Sequence, residues 1–297
     1  MNVISLFDGM SCGRIALEKV GIKVDGYFAS EIDKYAIQIS EKNYPDVNHI
    51  GDITKIKISE SHIESCSTQI TGVDFAYAGS KIDLVIGGSP CQSFSVAGDG
   101  SGFDGSSKLF WEYVRILKEV RAINPDVRFL LENVVMKKEW EQIITDALGV
   151  EPIMINSKVF TAQSRRRLYW TNIPVANLPE DMGLVLGDIL ENHLSERTVE
   201  DTARNLRHEK KYIDKALTCT ATMYKGAGNN GMTLIRRRDQ PGNKLSVLTV
   251  NEVEKLQGVP RDYTEGVSNT QRYKMLGNGW TVDVIAHIFE GLKLWGV

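Results

Sequence analysis

The sequence predicts an α/β protein: a doubly wound, mostly parallel sheet with helices on both faces, joined to a small irregular second domain. Three observations predict it. Over the first half of the chain, short apolar runs alternate with amphipathic stretches, the rhythm of parallel strands joined by crossover helices. That rhythm stops near Pro174, and from there to about Asn269 the chain is polar and basic. The stretch from Thr281 to Leu294 is amphipathic again and suits a helix that packs back on the sheet. The expected divisions are therefore residues 1–173, 174–269 and 270–297.

The elements follow in order. Val3 to Phe7 is a buried strand, followed by a glycine and serine turn and a helix from Gly13 to Val20 that Gly21 closes. Val24 to Ala29 is the second strand, with Glu31 just past its end. A helix from Lys34 to Lys42 stops before Pro45, because the residue preceding a proline is pushed out of helical geometry. Val47 to Gly51 is the third strand and ends at Asp52, while Asp83 to Ile86 is the fourth and runs into Gly87-Gly-Ser-Pro-Cys91. Leu109, Phe110, Val114, Leu117 and Val120 recur at helical spacing up to Ile123. Arg128 to Leu131 is the fifth strand, Lys138 to Leu148 another helix, and Ile153–Ile155 and Leu168–Trp170 complete the set. The polar segment carries the glycine-rich stretch Gly226 to Gly231, with no internal repeat.

Composition excludes several classes. At 42% hydrophobic and 25% charged residues, the 297-residue chain is an ordinary globular one, not a disordered one. No apolar run is long enough for a membrane span, and the first residues lack a basic region followed by an apolar stretch, so a cytoplasmic protein is expected. Cys12, Cys66, Cys91 and Cys219 form no C-x-x-C pair, which excludes a zinc cluster and a disulfide framework. Each is then a buried hydrophobe or a reactive thiol. The net charge is −3, yet residues 195 to 245 carry 11 Lys or Arg against 6 Asp or Glu, a local balance of +5. A basic segment inside an acidic protein points to a local polyanion contact.

In an open parallel sheet, ligands bind beyond the carboxyl ends of the strands. Here those ends carry Phe7-Asp8-Gly9-Met10-Ser11-Cys12-Gly13, then Glu31, then Asp52. An acidic residue about 20 positions after a glycine turn is placed to accept ribose hydroxyls, and the next acid can meet an adenine amino group. The pattern suits an adenosine-containing cofactor, although Gly9-x-x-x-Gly13 is not the G-x-G-x-x-G form and a tight turn with surface carboxylates has the same pattern. Cys91 lies on a loop past a buried strand, where a thiol can approach a substrate or simply be buried. Ser93 to Ser107 is rich in Gly and Ser and suits a lid. Glu132 ends strand five at the same edge. Alternation along Gln163-Ser164-Arg165-Arg166-Arg167 sends Gln163, Arg165 and Arg167 to one side. A nucleophile, a carboxylate and a fork of cations at one sheet edge are a catalytic constellation rather than a solvated face.

These segments resemble, in order along nearly the whole chain, the C5-cytosine DNA methyltransferases. The resemblance rests on Phe7-x-Gly9, Glu31, Asp52, Pro90-Cys91-Gln92, Glu132-Asn133-Val134, Gln163-x-Arg165-x-Arg167, Leu256-Gln-Gly-Val-Pro260 and Gly277-Asn-Gly-Trp280. Ser5 to Gly9, Tyr27 to Glu31 and Val85 to Cys91 are also worded like animal de novo enzymes, but Gln92 and the Asn278 motif follow the bacterial and phage type. Met10, Ser11 and Cys12 depart from the commoner loop glycines.

The resemblance implies the S-adenosylmethionine-dependent methyltransferase fold, a target-recognition domain in the insert, and S-adenosylhomocysteine as product. It implies that Cys91 attacks C6 of a cytosine rotated out of duplex DNA, that Glu132 holds the N3 and N4 edge, and that Arg167 holds O2. Arg165 supports the intermediate or a phosphate, with Gln163 alongside. Cofactor contacts fall to Phe7, Asp8, Gly9, Met10, Gly13, Glu31, Ile32, Asp52 and Ile53, with Pro90, Leu109, Asn278, Gly279 and Trp280 completing the pocket. DNA contacts fall to Gln92, Ser93 and Ser95 beside the nucleophile and to Lys225, Arg236, Arg237 and Arg238 in the insert. No metal and no membrane are implied. A cognate restriction endonuclease is a compatible partner, and the oligomeric state and target sequence are not written in the pattern.

Three rivals stand beside this reading. A tRNA cytosine methylase shares most of the motifs, and the large basic insert favours DNA over it. A catalytically inactive DNA-binding regulator would not need Cys91, Glu132 and Arg167 together. A nicotinamide-dependent dehydrogenase has no use for the nucleophile and arginine motifs.

Overall fold

The computed structural model describes residues 1–59, 62–65, 75–76, 81–90, 109–191, 197–226, 232–238 and 240–295. The chain divides into two compact units, one of Met1–Ile155, Arg166–Ala176 and Ala286–Val297, the other of Asn156–Arg165 and Asn177–Ile285.

The first unit is built on β1 (Asn2–Leu6), α1 (Cys12–Lys19), β2 (Gly26–Ser30), α2 (Lys34–Asn43) and β3 (Asn48–His49). Three short strands, β4 (Ile56–Ile58), β5 (His62–Ser65) and β6 (Phe75–Ala76), then form a small antiparallel sheet that the sequence rhythm did not announce. β7 (Leu84–Gly87), α3 (Phe110–Ile123), β8 (Arg128–Val134), α4 (Lys138–Leu148), β9 (Ile153–Asn156) and β10 (Arg166–Thr171) complete it. The main sheet has seven strands in the order β3-β2-β1-β7-β8-β10-β9. β1 pairs parallel with both β2 and β7, so the strand order reverses beside β1 and leaves the crevice where such sheets bind ligands. β10 runs antiparallel to β8, with Tyr169 opposite Glu132 and Arg167 opposite Val134.

β1 and β7 read as unbroken apolar runs because every residue in them is buried, as a sheet covered on both faces requires. α1 ends as Gly21 promised. With φ +74°, Gly21 donates to the Glu18 carbonyl and Ile22 to that of Leu17, so two otherwise orphaned carbonyls are satisfied. α3 lays Phe110, Tyr113, Leu117 and Val120 against Ile4, Leu6, Val85 and Phe129 of the sheet. Each such side chain contributes about 1.5–3 kcal/mol when fully buried. A Cβ at Gly87 would sit 2.9 Å from the Leu6 carbonyl oxygen and 3.0 Å from the Tyr113 ring, so the β1–β7–α3 packing needs glycine there.

The second unit contains α5 (Leu186–Ile189), β11 (Thr198–Val199), α6 (Ala203–Leu206), β12 (Glu209–Lys210), β13 (Leu234–Arg236), β14 (Leu245–Val247), α7 (Val250–Gln257) and α8 (Asn269–Asn278). The stretch expected to be irregular thus holds a four-stranded sheet, β11-β14-β13-β12, over its own core of Met232, Leu234, Leu245 and Val247. Strands of two or three residues are too short to display a period. α7 opens with a capping box, in which Thr249 and Glu252 satisfy each other's backbone N–H groups, and closes on Gly258 at φ +68°. α9 (Val282–Phe289) leads into a short 3₁₀ turn, Glu290–Trp295, where a single helix to Leu294 was expected. Gly291 there lies so close to the Pro174 carbonyl that no Cβ fits, which fixes the end of the chain on the first unit.

Candidate active site

The loop after β1 is tightly constrained. Phe7, Gly9 and Ser11 all have left-handed backbones, at φ 58°, 62° and 64°. For the two non-glycine residues this costs about 1–3 kcal/mol each, so the surroundings must over-determine the conformation. They do. The Asp8 N–H donates to the Ser30 carbonyl at 3.0 Å, and the Asp8 carboxyl accepts from Tyr27 Oη at 2.8 Å and Ser11 Oγ at 2.6 Å. Burial pushes the Asp8 carboxyl up to about 6, against the pull of those hydroxyls. Glu31 is the second clamp: its carboxylate accepts the backbone N–H groups of Gly9 at 2.8 Å, Ile32 at 2.7 Å and Asp33 at 2.8 Å. Ser30 Oγ donates to the Gly51 carbonyl, which ties the ends of β2 and β3 together, and Asp52 then caps the turn Ile53–Lys55 through the Thr54 N–H.

This edge fits an adenosine group. A Cβ at Gly9 would meet nothing within 4 Å, so the backbone there faces open space. Ile32 is 75% exposed beside Glu31, an apolar surface available to an aromatic base. Ile53 is buried in the core, so only its main chain remains for a ligand, and Met10 and Gly13 are buried as well. Leu109 opens α3 and Phe7 is half-buried, both against the core, while Pro90 is half-buried past β7. Asp8 belongs to the floor of this loop, because its nearly buried carboxyl is engaged by hydroxyls on both oxygens.

At the adjoining strand ends, Arg167 Nε lies 2.9 Å from Glu132 Oε1, and the two side chains are 14% and 11% exposed. Among the described residues neither Glu132 Oε2 nor Arg167 Nη2 has a partner, so each keeps one function for a substrate. Asn133, between β8 and the loop after β7, donates to Ser89 Oγ at 3.0 Å and so holds the backbone two residues before Cys91. Cys91, Gln92, Ser93, Ser95 and the Ser93–Ser107 segment lie outside the described residues. Cys12 and Cys219 are buried, and burial pushes the Cys219 thiol up to about 12, the behaviour of inert core thiols.

The expected alternation holds in burial, since Gln163 and Arg165 are buried, Arg167 half-buried and Arg166 exposed. Gln163 and Arg165, expected beside the nucleophile, make their hydrogen bonds inside the second unit. Gln163 is wholly buried in the second unit, donating to Gln257 Oε1 at 3.1 Å and accepting the Cys219 N–H at 2.8 Å. Arg165 donates to the carbonyls of Cys219 at 2.6 Å, Gly277 at 3.2 Å and Gly279 at 3.0 Å. Gln257 continues the web to the Leu276 carbonyl and Thr281 Oγ1. Segments far apart in the chain thus converge on two side chains that act as internal scaffolding. Gly277 must be glycine, because a Cβ there would overlap the Thr220 carbonyl. Asn278 is exposed at the end of α8, Gly279 half-buried and Trp280 buried.

The three arginines of the insert triplet are engaged unequally. Arg237 is 5% exposed and forms a two-pronged pair with the fully buried Glu252, at 2.8 and 2.6 Å. Arg236 is taken up by Glu209, Asp201 and the Asn243 carbonyl. Arg238 is exposed and stacks on Tyr212, and Lys225 is exposed beside Tyr224. Arg204, Arg207, Lys210 and Lys211 form no ion pair with any described residue. They crowd into eight positions of the sequence.

The C-5 cytosine-specific DNA methylase family matches residues 1–174 and 175–294. Type II methyltransferase M.SsoII of Shigella sonnei is 30% identical over 97% of this chain and 79% of its own. Type II methyltransferase M.NlaX of Neisseria lactamica is 29% identical, over 98% and 96%. Among solved structures, Entamoeba histolytica methyltransferase EhMeth superposes with a TM-score of 0.71 at 19% identity, covering 98% of each chain. The S. pombe Dnmt2 methyltransferase does so at 0.68 and 17%, covering 100% of each. At such identities these two speak for the fold.

Proposed function

The chain belongs to the C-5 cytosine-specific DNA methylase family, and on that premise we propose that it methylates C5 of a cytosine turned out of a specific duplex DNA sequence, with Cys91 as nucleophile. The observation that carries the reading is the Glu132–Arg167 pair, on the paired strands β8 and β10, with one free function on each partner among the described residues.

Cytosine C5 is a poor nucleophile until something adds at C6. The Cys91 thiolate forms the bond to C6, and electron density moves toward N3 and C5. Glu132 Oε2 faces the N3 and N4 edge and favours the N3-protonated form, while Arg167 Nη2 holds O2. A fixed pair of opposite charges in a half-buried site stabilises that shift without reorganising. S-adenosylmethionine supplies the methyl group when bound. Loss of the C5 proton then re-forms the double bond and expels the thiolate. Glu31 receives the ribose hydroxyls on lone pairs left by its three backbone donors, Ile32 covers the adenine, and Asp52 and the Ile53 N–H meet its edge. Asn133 positions the nucleophile loop.

Glu31→Ala weakens S-adenosylhomocysteine binding by about 1–3 kcal/mol, the scale for a lost charged hydrogen bond, and also frees the Gly9 N–H. Isothermal calorimetry reads this, and unchanged affinity removes the cofactor from this edge. Phosphate-binding roles fall to Arg204, Arg207, Lys210 and Lys211 with Lys225 and Arg238. Neutralising the first four together lowers the slope of log affinity against log salt by about 0.9 for each phosphate left without its cation, whereas Arg236→Ala lowers stability and leaves the slope unchanged. A cognate restriction endonuclease and a cytoplasmic location complete the proposal. Bisulfite sequencing of DNA from cells expressing the protein, with tRNA assayed alongside, tests the activity and reports the target site. Unmodified DNA with methylated tRNA would overturn the DNA reading.

A further inference from the structure

We propose that Asp8 is a positioning residue: from beneath the loop it locks Phe7, Gly9 and Ser11 in left-handed backbones and thereby aims the Gly9 N–H and the Glu31 carboxylate at the nucleoside of the methyl donor. This rests on the cofactor assignment above. The geometry is that of a buried latch. Tyr27 Oη from β2 donates to one Asp8 oxygen, and Ser11 Oγ from the start of α1 donates to the other. Ser11 Oγ lies 2.6 Å from Ser40 Oγ on α2, so one carboxyl joins three elements. The Asp8 N–H holds Ser30, and the neighbouring Gly9 N–H is the one that Glu31 grips, so the latch and the ribose acid share a single loop.

The latch is sensitive to protons. Both oxygens are acceptors only while Asp8 is ionised. Once protonated, the carboxyl must donate, and Tyr27 or Ser11 has to turn its hydroxyl away. Among the described residues no cation faces the group. Its neighbours are Ser5 on β1, Tyr27 on β2, Glu31 beyond β2, and Ser11 on the α1 side, with Cys12 beside Tyr27. Burial, and to a lesser degree the Glu31 charge, bring its titration to about 6. Cofactor affinity therefore depends on the ionised fraction and falls about tenfold from well above that point to one unit below it.

The test is calorimetric titration of the full chain with S-adenosylhomocysteine from pH 5 to 8, a ligand without the sulfonium charge. Wild type is expected to lose about tenfold in affinity toward pH 5, with the midpoint near 6. Asp8→Asn, which supplies one acceptor and takes no proton, is expected to bind weakly at pH 8 and to lose the Asp8 step. Any slope left in it belongs to groups that both proteins retain, such as His49, whose titration burial lowers. Tyr27→Phe keeps the carboxyl but removes a donor that favours its ionised form, so the step moves to higher pH. It also serves if Asp8→Asn does not fold. Wild-type affinity and profile in Asp8→Asn, or an unmoved step in Tyr27→Phe, overturns the proposal. Full affinity in Glu31→Ala instead places the fault in the cofactor assignment.

Discussion

Cys91→Ser abolishes methyl transfer while S-adenosylhomocysteine binding stays essentially unchanged. An unperturbed cysteine, with a pKa of about 8.5, is already a few per cent thiolate at neutral pH, whereas a serine hydroxyl is almost wholly protonated there; the expected loss is on the order of 10³-fold or more. The edge proposed for the cofactor is built by Asp8, Glu31 and Asp52 on other strand ends, so it has no reason to respond. Single-turnover transfer of labelled methyl groups to duplex DNA measures the loss. Trapping supplies the chemical signature: with 5-fluorocytosine there is no C5 proton to remove, so the thiol cannot leave, and wild type accumulates a complex that survives denaturant. Near-normal methylation by the serine variant removes the covalent mechanism, whatever the fold.

The first half of the chain was legible because its strands are buried on both faces and its helices carry one apolar stripe, so sequence period and burial coincide at β1, β7 and α3. The reversal of β10 was not legible. An antiparallel strand buried against β8 has the same apolar run as a parallel one. Glu31 lies just past the end of β2, where its position in the sequence put it, whereas Glu132 falls inside β8, which runs on to Val134. The internal contacts of Gln163 and Arg165 were not legible. Their partners are carbonyls and an amide 54 to 114 residues away, and nothing local distinguishes an arginine aimed at substrate from one aimed at main chain. The ion pair of Arg237 was illegible for the same reason, since Glu252 lies 15 residues on and is absent from the triplet's own wording. The one local signal was the Thr249-x-x-Glu252 capping box, which marks Glu252 as a structural acid.

Arg237→Met is accordingly expected to destabilise the protein by about 3–5 kcal/mol, the scale for leaving one member of a buried ion pair uncompensated. Glu252 is fully buried, and among the described residues its carboxylate accepts, besides Arg237, only main-chain N–H groups, from Glu191 and Thr249. Those dipoles orient the charge but do not neutralise it. Methionine fills most of the arginine's volume, so packing loss is a minor part of the effect. The double variant Arg237→Met with Glu252→Gln removes the charge while keeping a carbonyl oxygen as acceptor, and is expected to recover most of the lost stability. Urea unfolding of wild type, both single variants and the double variant gives the coupling energy directly. A scaffold pair requires large losses in the single variants, recovery in the double, and an unchanged salt slope for DNA binding wherever the variant remains folded. Unchanged stability in Arg237→Met together with a shallower salt slope would reverse the assignment and return Arg237 to the DNA-contacting group.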